Sequence, residues 1–266
     1  MRRIAHISDL HFGAEDPLVA EGLLEDLAHP LPHLVVVSGD LTQRARKSQF
    51  IAARSYLDQI ASPQLIVPGN HDIPLYNVVD RFVRPLTRYR HYITPELHPF
   101  YHDEEMAVAG INTARSDTWK EGRISHAQID KLRSQYDSVS TKLFKVLVCH
   151  HPFIPPAGNQ QSAIVGRVGV ALKSLEASHC ALILSGHLHQ AYNGNVRPHH
   201  LEVTRSILVA QAGTAISHRR RDEPNAYNRL TLDGDALHLE VRGWDGRQFA
   251  TTASFQFRRL EDGWCV

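Results

Sequence analysis

Short apolar runs recur along the chain, and each one ends in a polar cluster. Residues 3–8 read as a first strand. The continuous run 34–38 (Leu-Val-Val-Val-Ser) reads as a second, of the kind buried on both faces of a parallel sheet. Residues 64–67 form a third, closed by Pro68 and Gly69. Between them, 17–28 predicts a helix capped by Asp16 with Pro17 in its first turn, and 48–59 carries helical periodicity. Strands alternating with helices predict right-handed crossovers and a largely parallel sheet. Asp9 precedes Gly39 by 30 residues and Gly39 precedes Gly69 by 30, the length of one strand–helix–strand unit. Three clusters, Ser8-Asp9-Leu10-His11, Ser38-Gly39-Asp40 and Gly69-Asn70-His71-Asp72, therefore stand at carboxyl strand ends, where open α/β sheets place their ligands.

The pattern changes over residues 73–105, which are aromatic and basic with weak periodicity. They predict a helical insertion or cap over the mouth of the site. Regular structure resumes with a strand at 107–110, and Ser125 with Gln128 makes a capping box for the next helix. Two further strands, 145–149 and 181–184, end in Cys149-His150-His151-Pro152 and Ser185-Gly186-His187-Leu188-His189. Alternation over 207–241 predicts antiparallel strands, with Asp233-Gly234 turning a hairpin. No low-complexity segment or linker interrupts the chain, which reads as a single α/β domain over residues 1–266.

With 42% hydrophobic and 21% charged residues, the chain can fill a sizeable core. Its net charge of +1 favours neither nucleic acid nor a membrane surface. No run nears the roughly 18 apolar residues of a membrane span. Cys149, Cys180 and Cys265 form no paired framework, and the N-terminal apolar run is too short for a signal peptide, so the cytoplasm is the expected location. Histidine, at 18 residues, is the outlier, and it matters through spacing. In Asp9-x-His11 and His187-x-His189 the donors stand at i and i+2, which on extended chain face the same side and can meet one ion. Carboxylate, imidazole and the Asn70 amide oxygen together suit manganese, iron or zinc better than calcium or magnesium. One such cluster is as readily structural; five at successive strand ends are not explained by core packing.

Asp9-x-His11, Gly39-Asp40, Gly69-Asn70-His71-Asp72, His150-His151-Pro152 and Gly186-His187-x-His189, in that order, resemble the signature of the calcineurin-like metallophosphoesterases over residues 3–215. The resemblance implies a four-layer α/β/β/α sandwich of two mixed sheets flanked by helices, with a two-metal site at the strand C-terminal ends. It implies that Asp9, His11 and His189 bind one ion, that Asn70, His150 and His187 bind the other, and that Asp40 bridges them. His71 would act on the leaving group with Asp72 orienting it, and Asn70 and His71 would also touch substrate. Asp72 is otherwise a helix cap or a turn former before Pro74. The implied reaction is in-line attack on a phosphoester by a metal-bridging hydroxide.

Departures from the signature narrow the branch. The chain lacks the Asp-Arg-Gly and Glu marks of the phosphoprotein phosphatases. It has Gln43 where purple acid phosphatases have tyrosine, and His71 where bacterial lipid A pyrophosphatases have arginine. Unlike scaffold members such as the retromer subunit, it keeps all seven ligands. What remains is similar to the bacterial cyclic-nucleotide and glycerophosphodiester phosphodiesterases, from which Gln43 and Asn112-Thr113-Ala114-Arg115 depart. The expected substrate is a small-molecule phosphodiester. A phosphomonoester, a nucleic acid and a non-catalytic metal-binding scaffold are the other readings, and a homodimer stays open. Arg115 is a candidate phosphate grip or a surface arginine. Arg81, Arg84, Arg88 and Arg90 form a basic lip or a solvated face. The run Arg219-Arg220-Arg221 recruits an anionic group or is a solvated loop, and Cys149 points into the core.

Overall fold

The computed structural model describes residues 1–118, 121–156, 164–200, 203–220, 223–260 and 263–265. Strands β1 (Arg2–Ile7), β2 (Leu34–Val37) and β3 (Gln64–Ile66) pair in parallel, joined by helices α1 (Pro17–Ala28) and α2 (Lys47–Leu57). Asp16 caps α1 as predicted, its carboxylate accepting from the N–H groups of Leu18 and Val19. Two short helices follow, α3 (Val78–Val83) and α4 (Thr87–Tyr92). The chain then enters β4 (Phe100–His102), β5 (Met106–Gly110), α5 (His126–Asp137), β6 (Phe144–Val148), α6 (Val168–Ala177), β7 (Cys180–Ser185), β8 (Tyr192–Asn195) and β9 (Leu208–Gln211). It ends in a meander of β10 (Ala226–Asp233), β11 (Ala236–Trp244), β12 (Phe249–Leu260) and β13 (Gly263–Cys265).

These strands make two mixed sheets, ordered β13-β12-β11-β10-β1-β2-β3 and β4-β5-β6-β7-β9-β8. Side-chain alternation sorts each strand between two layers. Leu34 and Val36 of β2, Val146 of β6 and Leu182 of β7 meet between the sheets. Their neighbours Val35 and Val37 lie under α1 and α2, while Leu147 and Ile183 lie under α5 and α6. The result is the expected α/β/β/α sandwich.

Two expectations change. The stretch 73–105 is not wholly helical, because its end forms β4, which pairs antiparallel with β5 at the sheet edge. The segment 207–241 is not wholly antiparallel either. Its first strand, β9, runs parallel to β7 on one side and antiparallel to β8 on the other, and the β10–β11 hairpin is antiparallel as expected. Alternation reports which face a side chain takes, not the direction of the neighbouring strand. Among the described residues no helix is long and apolar enough to cross a membrane.

Candidate metal centre

All five strand-end clusters meet at one end of the sandwich, across the seam between the sheets. In three of them the backbone turns through left-handed conformation. Asp9, His11, Asp40, His187 and His189 have φ of 55, 48, 52, 76 and 58°, a left-handed conformation that costs energy in any residue with a Cβ. Only three other non-glycine residues among those described share it: Ala45, Arg167 and His179. Asp9 with His11, and His187 with His189, therefore do not face one centre by alternation on extended chain, as the spacing suggested. They lie beyond their strands, and the left-handed turns aim them. Two glycines make room. A Cβ on Gly39, itself at φ +97°, would stand 2.7 Å from His150 Nδ1 and 2.9 Å from the backbone of Gly69. A Cβ on Gly186 would run into Ser8 Oγ and lie 2.6 Å from Asp9 Oδ2.

Each carboxylate divides its oxygens between protein and centre. Asp9 Oδ2 accepts from Ser8 Oγ (2.7 Å) and the His187 N–H (3.0 Å). Its Oδ1 faces His11 Nε2 at 3.5 Å and His189 Nε2 at 3.8 Å. Asp40 Oδ2 lies 3.7 Å from His11 Nε2, while its Oδ1 accepts the His71 N–H (2.8 Å) and lies 3.4 Å from His150 Nε2. Asn70 Oδ1 is 3.0 Å from His150 Nε2 and 3.1 Å from His187 Nδ1, and those two nitrogens are 3.3 Å apart. Donors about 2.1 Å from a shared ion stand ~3.0–3.5 Å from one another, so the spacings suit metal binding. Asp9 Oδ1 and both ring nitrogens of His11 are buried without a hydrogen-bond partner among the described residues, a costly state that a cation relieves.

Outer hydrogen bonds fix the imidazoles. His150 Nδ1 faces the Ser38 carbonyl at 2.8 Å and can only donate to it. His189 Nδ1 donates to Thr214 Oγ1 (2.7 Å), whose own proton goes to the Arg219 carbonyl (2.9 Å). Both rings thus turn Nε2 toward the centre, the usual arrangement of a metal-binding histidine. Burial opposes charge on Asp9 and Asp40, yet both stay well below the ordinary carboxylate range. His189 and His11 outweigh burial at Asp9, and His150 and His71 at Asp40. Burial also opposes charge on His150, but Asp40 and Asp9 lift its imidazole to about 9. Burial, then the neighbouring His150, pushes His187 down to about 3.

A sequence profile described as calcineurin-like phosphoesterase matches residues 2–191, which include all five clusters. The chain belongs to the calcineurin-like phosphoesterase family. It is therefore a metal-dependent phosphoester hydrolase, and the family implies divalent ions. It is 24% identical over 204 residues to a probable cyclic nucleotide phosphodiesterase of a Synechococcus species, covering 71% of this chain and 74% of that one. It is 26% identical over 200 residues to a glycerophosphodiester phosphodiesterase of Enterobacter lignolyticus, covering 70% of each. Its fold is similar to that of a purple acid phosphatase from yellow lupin seeds, with a TM-score of 0.74 at 14% identity over 98% of this chain. The chain spans about half of the lupin protein, 54% of its length.

In this phosphoesterase the seven expected donors and His71 gather at one place; other expected residues do not. The His71 ring packs edge-on against His11, with 4.9 Å between centroids, and its Nδ1 lies 2.9 Å from the Gln43 carbonyl. Gln43, not Asp72, orients that ring. The Asp72 carboxylate is taken up by the N–H groups of Leu41 (3.2 Å), Thr42 (2.9 Å) and Gly69 (2.9 Å) and by the Thr42 hydroxyl (3.0 Å). It staples the loop after β2 to the loop after β3. Burial and the nearby Asp40 raise it to about 6 while the three N–H groups pull the other way.

Arg219, placed by its sequence in a basic loop, stands in the site. Its Nη1 is 2.9 Å from His71 Nε2 and 3.4 Å from Gln43 Oε1. No local signal marked it, since 148 residues separate it from His71. Arg219 and Arg220 line a cavity of about 260 Å³ with Asp40, Asn70, His71 and His189. Arg221 lies outside the described residues. A more apolar cavity of about 200 Å³ adjoins it, sharing Asn70, His71 and Arg219 and adding Gln43, Ile73 and Leu75. Arg115 is in neither. It lines a third cavity with Arg84 and Arg90, its guanidinium donating to Gln128 Oε1. Arg81 and Arg88 make no lip: Arg81 is buried and donates to the Pro74 and Thr118 carbonyls, and Arg88 pairs with Asp80 at 2.9 Å. His151 turns Nδ1 to Thr113 Oγ1 at 2.8 Å, and Cys149 is buried, its thiol pushed up by burial.

Proposed function

We propose that the protein is a dinuclear metal hydrolase of small-molecule phosphodiesters. In this reading Asp9, His11 and His189 hold one ion, Asn70, His150 and His187 hold the other, and Asp40 serves both. The observation that carries it is the position of Asp40: one oxygen faces the His11 side and the other the His150 side. The mixed donors favour manganese or iron, and zinc also fits. When bound, the ions supply positive charge for phosphoryl oxygens and acidify water to a nucleophile.

The chain's own groups do the rest. Asn70 adds an acceptor without adding charge. His71, its Nδ1–H held by the Gln43 carbonyl, keeps Nε2 for the leaving-group side; once protonated there from solvent, that nitrogen would pass its proton to the departing oxygen and return to the neutral ring. Arg219 Nη1 lies 2.9 Å from that nitrogen. Its guanidinium is placed to take a phosphoryl oxygen when the anion arrives, which frees His71 Nε2. A phosphoryl group in the 260 Å³ cavity puts a leaving group into the adjoining 200 Å³ cavity, past His71. The preference for diesters draws on the two phosphodiesterase relatives. We take residues 1–266 as one domain with 73–105 as a wall of the site. Three free cysteines, two of them buried, fit a cytoplasmic location.

The test compares wild type with Asp40→Ala after loading with manganese. Bis-p-nitrophenyl phosphate should turn over faster than p-nitrophenyl phosphate in wild type, and the variant should lose both activity and bound metal. Equal rates in the two proteins sink the reading; faster turnover of the monoester replaces it with a phosphomonoesterase. His71→Ala should slow esters of poor leaving groups by about 10²-fold or more and nitrophenyl esters far less.

A further inference from the structure

We propose that the cavity lined by Arg84, Arg90 and Arg115 is a subsite for a second phosphate group, carried by the same molecule whose phosphoester lies at the metal centre. The link to a reacting phosphoester rests on the function proposed above; the anion site itself does not. Position is the first support. Asn112, Ala114 and Arg115 follow β5, which pairs in parallel with β6, and His150 stands at the end of β6. Neighbouring strand ends lie about 4.8 Å apart, so the cavity and the metal centre sit side by side on one crest. From the other sheet, Ile73 walls both this cavity and the 200 Å³ cavity that runs to His71. One molecule can span the two.

Charge is the second. Three guanidiniums line the cavity, and no carboxylate does. Some arginines elsewhere pair with acids, Arg54 with Asp58, Arg88 with Asp80, and Arg229 and Arg242 with Asp26, and others stand alone on the surface among the described residues; these three share one cavity. Among the described residues, Arg84, Arg90 and Arg115 have no ion-pair partner, and the Arg84 guanidinium has no hydrogen-bond partner at all. Burial lowers the Arg115 pKa and the charge of Arg123 adds to this; Asp117 pulls the other way without outweighing them, so the cation is held where one is unfavourable. An anion reverses that cost.

The groups are also set for it. Gln128 holds Arg115 through an Oε1 that accepts the Ser125 N–H at 2.8 Å as well, so the capping box of α5 fixes the guanidinium. Arg90 spends only Nε, on the Pro95 carbonyl at 3.4 Å, which leaves its terminal nitrogens for a bidentate contact. The volume, about 320 Å³ with Val83, Pro85, Leu86 and Leu97 among its walls, exceeds what a bare phosphate ion needs and suits an organic phosphate.

Thymidine 5′-(p-nitrophenyl phosphate) and its 3′-phosphorylated form differ only in a distal phosphate and release the same chromophore. With metal-loaded wild type, the 3′-phosphorylated ester should show a KM about tenfold lower, the scale of one charge-assisted contact pair. Arg84→Gln/Arg90→Gln, two exposed side chains whose replacement leaves the core intact, should erase that difference in KM. Equal KM values in wild type, or a difference that the double variant keeps, would overturn the proposal. Calorimetric titration with thymidine 3′,5′-bisphosphate against thymidine 5′-phosphate separates this from failure of catalysis. If neither ester is hydrolysed but the bisphosphate binds tighter and loses that advantage in the double variant, the anion site stands and the catalytic reading falls. If inorganic phosphate fills the Arg84- and Arg90-dependent site as tightly as the bisphosphate, the ligand is free phosphate and the substrate part of the proposal is wrong.

Discussion

At the candidate metal centre Asp9, His11, Asp40, His187 and His189 stand on left-handed loop turns, and Asp9, His11, Asp40 and His150 are at most 1% exposed. Along the same crest, Arg84 and Arg90 stand exposed on and beside two six-residue helices, and Arg115 is held by the Gln128 side chain. Donors for an ion must be placed to within tenths of an ångström, so the backbone sets them and outer hydrogen bonds lock them. Selecting among organic anions tolerates long, flexible side chains carried on an insertion.

The sharpest way to break the contrast is on the fixed side. Asp40→Ala should cut kcat/KM by about 10³-fold or more, roughly 4 kcal/mol of barrier, and elemental analysis should find less than two ions per chain. A variant that keeps both ions would show that Asp40 is not shared. Asp72→Ala comes next, because it strands three buried N–H groups. Thermal melts should show a loss of about 2–3 kcal/mol, with activity falling in step with folding. If activity falls a hundredfold while the melt is unchanged, Asp72 acts in the chemistry after all. Thr214→Val removes the acceptor that fixes His189. Metal titration should read an affinity about 10–100-fold weaker, with little change in the melt of the chelated protein.

The smallest effect probes the seam beneath the centre. His6 is wholly buried between Ser38 Oγ (2.9 Å) and Asn228, and burial pushes its imidazole down to about 3. Below pH 6.5 the unfolded chain binds a proton on this ring that the native one refuses. Stability should therefore fall with falling pH by about 1 kcal/mol per unit until the pH nears that depressed value. Urea melts from pH 7 to 4.5 should show a shallower slope for His6→Asn; identical slopes would place the acid sensitivity elsewhere.

Much of the centre was legible along the chain, for reasons that differ by residue. Asp9, Asp40 and Asn70 were brought together by a 30-residue period that only strand–helix repeats explain. His187 and His189 were found by spacing, though the extended geometry behind that reading gives way to left-handed turns. The partners of Asp72 and Arg219 were hidden, since loop-to-loop contacts across 30 and 148 residues leave no local period. The same holds for the fold. Caps and parallel strands of the first sheet follow from local rules, whereas the pairing of β9 with β7 depends on which edge lay free. β12 went unread because its run, with Thr251, Thr252 and Ser254, carries few large apolar residues.

The left-handed turns have a cellular consequence. Each costs on the order of 1–3 kcal/mol, and Asp9 and Asp40 add two like charges in a dry place. Whatever binds the native crest and not the unfolded chain repays that deficit by mass action. Metal supply would then govern not only turnover of substrate but turnover of the protein. A chain starved of ions opens at these loops more often and meets proteases sooner, so a cell short of metal would shed the enzyme rather than store it.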